Sequence, residues 1–526
     1  MSAPRITSSL LLAGALLVTG GAGSIALAAD GEGTFTMVLN ADPGNLDPQS
    51  APTSVLFQAS RFAYDSLLSM SAEDGSIQSQ LATDWAVDGT TVTLTLGDGI
   101  TCSDGSPLTA TDVVANLDYV ADPANASPFL GTYYPAGATA VADDAARTVT
   151  ITLAAPAPFV LNGLADLPIV CASGMADRTA LASATAGTGP FVLTEAAPGD
   201  HYTYALREGY AWGPNGATTA EAGLPGTVVL RIVENPTTAA NLLLTGDVSA
   251  ATVVGPDAQR LAQESLFSVD TGVVIGEMWF NHAEGRPGAD AAVRMALTQG
   301  ADLTQLQQVL TGGQGAPATT FAALAPVACP GDSISGALPA FDATAAGAAL
   351  DAAGWTLGAD GIRAKDGQQL SVTFLHDTSA GTAGQAAAEL ATQQWTALGI
   401  NVVDKAQTGA ATQETLFGTG DWDVAWIALN VSSPDQLVPF LSGAGMADGG
   451  ANFSGIANDA YTAGVTAASA MAGTEGCATW LDAESNLVAA ADVVPFANSV
   501  VPTFGNGAEF AISGSLIPTS IRMQAQ

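Results

Sequence analysis

Apolar and polar residues alternate from Thr34 to Asn40 (TFTMVLN), from Thr90 to Leu96 (TTVTLTL) and from Thr148 to Leu153, a period of two that predicts half-buried strands. Further strands are expected over Phe191–Thr194, Tyr202–Leu206, Thr227–Val233, Leu370–Leu375 and Ile400–Val403, with Trp279-Phe280 ending another. Helical spacing replaces alternation over Val55–Ser69, where Val55, Ala59 and Phe62 share one face, and over Thr237–Leu244, Ala291–Gln299, Ala345–Ala353 and Ala386–Leu398. Gly246, Gly354 and Gly399 stand where three of these helices should stop. Thr109 or Thr111 is placed to cap a helix carrying Val113, Val114 and Leu117, with Asp112 near its positive end. Strand, helix and strand in succession from Leu370 to Val403 form a βαβ unit and so imply a parallel sheet. The class expected is α/β, and 526 residues exceed what one core holds.

At the N-terminus, Arg5 precedes an apolar run from Leu10 to Val18, then small residues and Ala26-Leu27-Ala28. This is the pattern of a cleavable secretory signal over residues 1–28, and the run is shorter than the ~20 apolar residues of a membrane span. An exported protein, extracellular, cell-surface or periplasmic, is expected. No cysteine near the cleavage point offers a lipid anchor, since the first is Cys102. The four cysteines, Cys102, Cys171, Cys329 and Cys477, are even in number and widely spaced. In an exported chain this favours two disulfides over a metal site and leaves three pairings open.

Charge narrows the partners. Fifty acids against 13 bases give a net charge of −37, which repels phosphate backbones and argues against nucleic acid. Chemistry is sparse: no phosphate-cradling G-x-x-x-x-G-K-[ST], no G-x-S-x-G elbow and no H-E-x-x-H occur. His201, His282 and His376 are isolated and read as surface or strand-end residues, so no metal, cofactor or catalytic residue is expected.

Seven separated segments, in one order, resemble the peptide/nickel family of solute-binding proteins of ABC importers, from about Thr34 to Phe510. They are Pro43-Gly44-Asn45-Leu46-Asp47-Pro48, Tyr64-Asp65-Ser66-Leu67-Leu68, Leu81-Ala82-Thr83-Asp84-Trp85, Leu94 to Val113, Gly187-Thr188-Gly189-Pro190-Phe191, Asn281 with Val293 to Leu297, and Ala352-Ala353-Gly354-Trp355. Within Leu94–Val113, Gly97 replaces the family's usual Arg and Cys102 its usual Phe. The residues themselves suggest structural jobs: Ser103-Asp104-Gly105 is a turn and Gly187 to Pro190 a crossing between lobes.

The resemblance implies a two-lobed, periplasmic-binding-protein-like (type II) fold with an extra subdomain in the first lobe. Mapped here, the first lobe is 29–62, 188–268 and 499–526, the subdomain 63–187 and the second lobe 269–498. Each lobe would then hold one disulfide, Cys102–Cys171 and Cys329–Cys477. The implied function is an extracytoplasmic receptor, a monomer, that closes over an oligopeptide and delivers it to a membrane permease. An oligosaccharide or metal chelate is the alternative solute, and a secreted hydrolase the weakest reading. Ligand contacts are expected from Asn45 and Leu46 of the first loop, Tyr133 and Tyr134 of a Gly/Pro-flanked loop, and Trp426, Asn430 and Ser432 of the second lobe. The acid that holds a ligand ammonium in dipeptide-type relatives is missing before Pro434, which leans toward longer peptides or a neutral solute.

Overall fold

The computed structural model describes residues 33–51, 53–407 and 409–524. The expected signal segment, 1–28, lies outside them. One ten-stranded sheet runs through the molecule, and separate sheets and helices dress its two halves. In the first half, Thr34–Leu39 pairs in parallel with Thr227–Ile232, which continues antiparallel to His201–Leu206 and then Phe191–Ala197. Phe35, Phe62, Tyr204 and Phe191 fill the core under this face. In the other half, Ser371–Asp377 lies parallel to both Asn401–Gln407 and Val424–Trp426, confirming the expected βαβ crossover. Its helix, Gly381–Ala397, buries Ala387, Ala388 and Ala391, small residues that let helix and strands approach closely, and Trp395, which packs on Phe374.

Two long antiparallel strands join the halves. Phe267–Phe280 and Val493–Gly505 stay paired from Phe267 opposite Gly505 to Trp279 opposite Val493, with the register broken between Val274 and Gly276. Glycine is required at that break, since a Cβ on Gly276 would lie 2.6 Å from the Phe496 ring. Of these two strands, alternation had shown only the end of one. Phe267–Phe280 is half-buried or exposed over its first seven residues and buried over its last five, while Val493–Gly505 is buried at both ends and wetted at mid-length, so no single period runs along either.

A four-stranded antiparallel sheet (Ala82–Asp88, Thr91–Leu96, Thr148–Thr152 and Thr139–Asp143, in that order) forms a third body. It packs Val92, Leu94, Val149 and Ile151 on Val113 and Leu117 of the Ala110–Ala121 helix. That helix begins in a capping box: Thr109 accepts from the Asp112 N–H, and the Asp112 carboxylate accepts from the Thr109 N–H. The cysteines pair as Cys102–Cys171 and Cys329–Cys477.

The first helix ends sooner than expected, at Ala63 rather than Ser69, and Leu68–Met70 is a strand. Its end is fixed from outside, because the Gly189 N–H donates to Ala63 O at 2.9 Å and Gly187 passes against the Tyr64 ring. Helical propensity up to Ser69 yields to that contact.

Candidate functional site

Between the halves lies a cleft of about 460 Å³, within the usual range for small-ligand sites. The first strand lines it with Met37 to Asn40, and the first helix with Ser54, Val55, Phe57, Gln58 and Arg61. Tyr133 and Asp166 come from the third body. Thr271, Val273, Val501 and Thr503 come from the crossing strands, Leu324 and Asn430 from the opposite side, and Ile512, Gly514, Ser515 and Leu516 from the C-terminal segment. Most of this lining is apolar or neutral.

The first helix reaches the cleft because Thr53 caps it, accepting from the Leu56 N–H, while Leu56, Ala59 and Phe62 bury its other face. Ser54, Gln58 and Arg61 then follow at helical spacing along the cleft side. Arg61 donates to Asp166 Oδ1 at 3.0 Å, with about a fifth of each side chain exposed (23% and 20%). Burial raises the Asp166 carboxyl above its usual range, and the Arg61 guanidinium opposes the rise. The pair is locally neutral and ties the first helix to the third body. Gln58 is 9% exposed, and its Oε1 accepts from the Leu516 N–H at 2.9 Å.

Of the residues singled out in the sequence, Tyr133 and Asn430 stand on the cleft wall. Tyr133 stacks in an aromatic cluster, 5.8 Å from Phe57 and 5.1 Å from Phe129 between ring centres. Asn430 uses both ends of its amide on the main chain of one residue: Oδ1 accepts from Val274 N (2.8 Å) and Nδ2 donates to Val274 O (3.0 Å). It therefore holds the break in the crossing strand as well as facing the cleft. The other five do not line the cleft. Asn45 shapes its own turn by accepting from the Asp47 N–H, and Leu46 is buried with its N–H on Leu181 O. Tyr134, the more buried of the two tyrosines, packs in the third body's core. Trp426 lies between Phe374 and Phe496, each 5.0 Å away, in the core of the second half. Ser432 is held by Gln436 Oε1, which accepts from its N–H at 3.0 Å. Aromatic and loop residues were natural choices by type, but type does not say which side of a strand faces the core. Gln58, Arg61 and Asp166 went unremarked. The signal that could have found the first two is the polar spacing of Ser54, Gln58 and Arg61 at i, i+4 and i+7 on the first helix, and no comparable signal marks Asp166.

His376 is buried one residue from the end of its strand, and His282 is half-buried just beyond the end of Phe267–Phe280, so both stand at strand ends but not on the surface. His376 stacks on Phe374 and pairs with Asp404 at 2.8 Å, and burial beside Arg294 lowers His282 to about 4. Among the described residues no three His, Cys, Asp or Glu side chains cluster as a metal site, and no helix is long and apolar enough to cross a membrane.

Similarity to known proteins agrees with this architecture. A substrate binding protein from Microbacterium hydrocarbonoxydans, solved in complex with 4-hydroxybenzoate hydrazide, superposes with a TM-score of 0.76 at 26% identity, covering 94% of this chain and all of that one. Protein XP55 of Streptomyces lividans is 30% identical over 305 residues, 55% of this chain and about half (51%) of that protein's length. The nickel-binding periplasmic protein of Escherichia coli is 28% identical over 350 residues, 62% of this chain and 63% of that protein. The model of the family described as bacterial extracellular solute-binding proteins, family 5 Middle, matches residues 76–448. With its two halves, crossing strands and interposed cleft, the chain belongs to the family 5 solute-binding proteins of ABC importers.

Proposed function

We propose that this protein is the extracytoplasmic receptor of an ABC importer for a short peptide, which it encloses between two lobes and hands to a membrane permease without chemical change. The observation that carries this reading is the 460 Å³ cleft, walled by both halves of the long sheet and by the two strands that cross between them. We take residues 29–62, 188–268 and 499–526 as the first lobe, 63–187 as its extra subdomain and 269–498 as the second lobe. Crossing strands can act as the hinge, and closure is driven by whatever extra contacts the solute makes in the closed state.

The lining supports an uncharged or zwitterionic solute with an apolar body. Arg61 and Asp166 cancel each other, and among the described residues no lone acid lines the cavity to capture an ammonium group. A second reading, an aryl acyl compound, is favoured by the relative solved with 4-hydroxybenzoate hydrazide and by the Phe57–Tyr133 pair on the cleft wall. Titration calorimetry of the mature protein against di- to pentapeptides, benzoyl hydrazides, oligosaccharides and nickel chelates tests both. Selective binding of intact peptides is the expected result. Binding confined to hydrazides would move the reading to aryl acyl solutes, and binding confined to sugars or chelates would overturn both.

A further inference from the structure

We infer that Arg61 and Asp166 form a head-group subsite in the cleft, which takes a solute end carrying a carbonyl and an amino nitrogen one atom removed from it, the nitrogen on Asp166. The free amino end of a peptide is such a unit, with Cα as the intervening atom. An acyl hydrazide is another, with a nitrogen in that place. The inference rests on the receptor reading above and names the chemistry at one end of its solute.

Packing from different parts of the chain brings the two charges together. Arg61 rides on the first helix, whose Leu56, Ala59 and Phe62 are buried. Asp166 ends the helix Val160–Asp166, which buries Val160, Leu164 and Ala165 in the third body. That helix presses on the loop of Tyr133: a Cβ on Gly163 would lie 2.4 Å from Tyr133 O, so packing sets the spacing of Tyr133 and Asp166. Arg61 Nη2 donates to Asp166 Oδ1 at 3.0 Å. Asp166 Oδ2 and Arg61 Nε and Nη1 make no hydrogen bond among the described residues, and none of these three atoms is sealed from solvent. Both side chains line the cleft with about a fifth of their surface open (23% for Arg61 and 20% for Asp166). The pair therefore offers a solute one anionic acceptor and further donors beside it.

A paired acid selects differently from a lone one. An ammonium group alone would satisfy Asp166 but leave Arg61 facing a second cation. A carbonyl oxygen next to that nitrogen removes the conflict, because it accepts from Arg61 while the nitrogen donates to Asp166. A simple amine or a simple carbonyl meets half of the pair, and the unmet half is what rejects it. Phe57 and Tyr133, 5.8 Å apart and edge to face on the cleft wall, receive the side chain or aryl group attached to the unit. The subsite concerns one end of the solute, so a zwitterionic peptide with a free carboxylate at the other end remains a ligand.

Titration calorimetry tests this with two ligand pairs on wild type and Asp166→Asn: Phe-Leu against N-acetyl-Phe-Leu, and benzoyl hydrazide against benzamide. The second member of each pair keeps the carbonyl and lacks the free amine. Asp166→Asn keeps an acceptor for Arg61 and puts an NH2 group in place of Oδ2. In wild type the amine-bearing member should bind at least ~10-fold more tightly, and in the variant that advantage should fall below ~3-fold. A dependence on Asp166 in the peptide pair assigns the subsite to a peptide amino end, and one in the hydrazide pair alone assigns it to an acyl hydrazide. An advantage that Asp166→Asn leaves unchanged, or no advantage in wild type, overturns the inference and leaves the receptor reading standing. Circular dichroism checks that the variant folds. If it does not, or if the amine-free members bind too weakly to rank, a crystal structure of wild type with Phe-Leu or the hydrazide decides. The amine nitrogen should then lie about 2.9 Å from Asp166 Oδ2, and an amine placed elsewhere overturns the inference. Failure of every peptide and hydrazide to bind wild type sinks the receptor reading as well.

Discussion

Buried carboxylates are the residues through which this acidic chain responds to pH. Glu277, on a crossing strand, accepts from the Leu429 N–H at 2.9 Å through one oxygen and has no partner at the other among the described residues. Burial pushes it up to about 8, Glu484 to about 7 and Asp435 to about 6. Between the ordinary carboxylate range and these values the folded chain holds protons that the unfolded chain has lost. Raising pH through that window therefore favours unfolding, and the contribution is greatest below about pH 4. Melting temperature should fall from pH 5 to pH 8.5, and Glu277→Gln, which keeps the Leu429 bond, should flatten the fall and add roughly 1–3 kcal/mol at the alkaline end. A wild-type melting temperature constant over that range would refute the prediction. Asp65 is raised by burial too, but many donors oppose the rise: Gln80 (2.7 Å), Thr188 (2.9 Å), Tyr210 (2.9 Å) and Trp212 (3.1 Å) converge on it. Asp65→Ala should cost about 2–4 kcal/mol in denaturant unfolding, because Gln80, Thr188 and Tyr210 are left without this acceptor while Trp212 keeps Thr188 O. A loss below ~0.5 kcal/mol would show that water replaces it.

At the scale of elements, the end of the first helix is where two segments interlock. A Cβ on Gly189 would lie 2.4 Å from Ala63 C and 2.6 Å from Tyr64 N, both backbone atoms that cannot swing away. Gly189→Ala should thus destabilise the protein by roughly 2–4 kcal/mol and disturb the cleft, since Gln58 and Arg61 ride on that helix. An unchanged melting temperature and unchanged solute affinity would contradict this. Much at this scale was legible in the sequence. The capping box at Thr109, the alternation of Thr91–Leu96 and the glycine end of Pro236–Thr245 are local signals, and local hydrogen bonds satisfy them. The overextension of the first helix to Ser69 has the reverse cause. Its true end is set by a segment more than a hundred residues away, and no short window of sequence contains that contact.

In the whole molecule, a second contact joins the segments we assign to opposite lobes. Phe159 is buried against Trp480, with ring centres 6.4 Å apart, beside Cys329 of the Cys329–Cys477 disulfide and Ala468. At a neighbouring point Gly75 lies so close to Pro326 that a Cβ on it would stand 2.7 Å from the proline's Cβ. These contacts hold the lobes together independently of any solute. Phe159→Ala should shift the unliganded equilibrium toward an open form by about 1–2 kcal/mol, roughly tenfold in the ratio of forms. Small-angle scattering should show a larger radius of gyration for the variant, which solute restores. Identical scattering profiles for variant and wild type would show that the contact does not bias closure.

By itself the sequence determined the class, the family and those strands and helices with a clear local period, because periodicity, caps and turn residues act over a few neighbouring positions. The disulfide pairing followed once the family resemblance divided the chain. Only the tertiary structure decided the cleft. Trp426 and Asn430 are four residues apart on one segment, yet one is sealed between Phe374 and Phe496 and the other faces the cavity. Gln58 is one polar residue on a helix in the sequence, and only the fold brings its Oε1 onto the N–H of Leu516, 458 residues away. A ligand site is made where distant segments meet, and the meeting is settled by packing that no local pattern encodes.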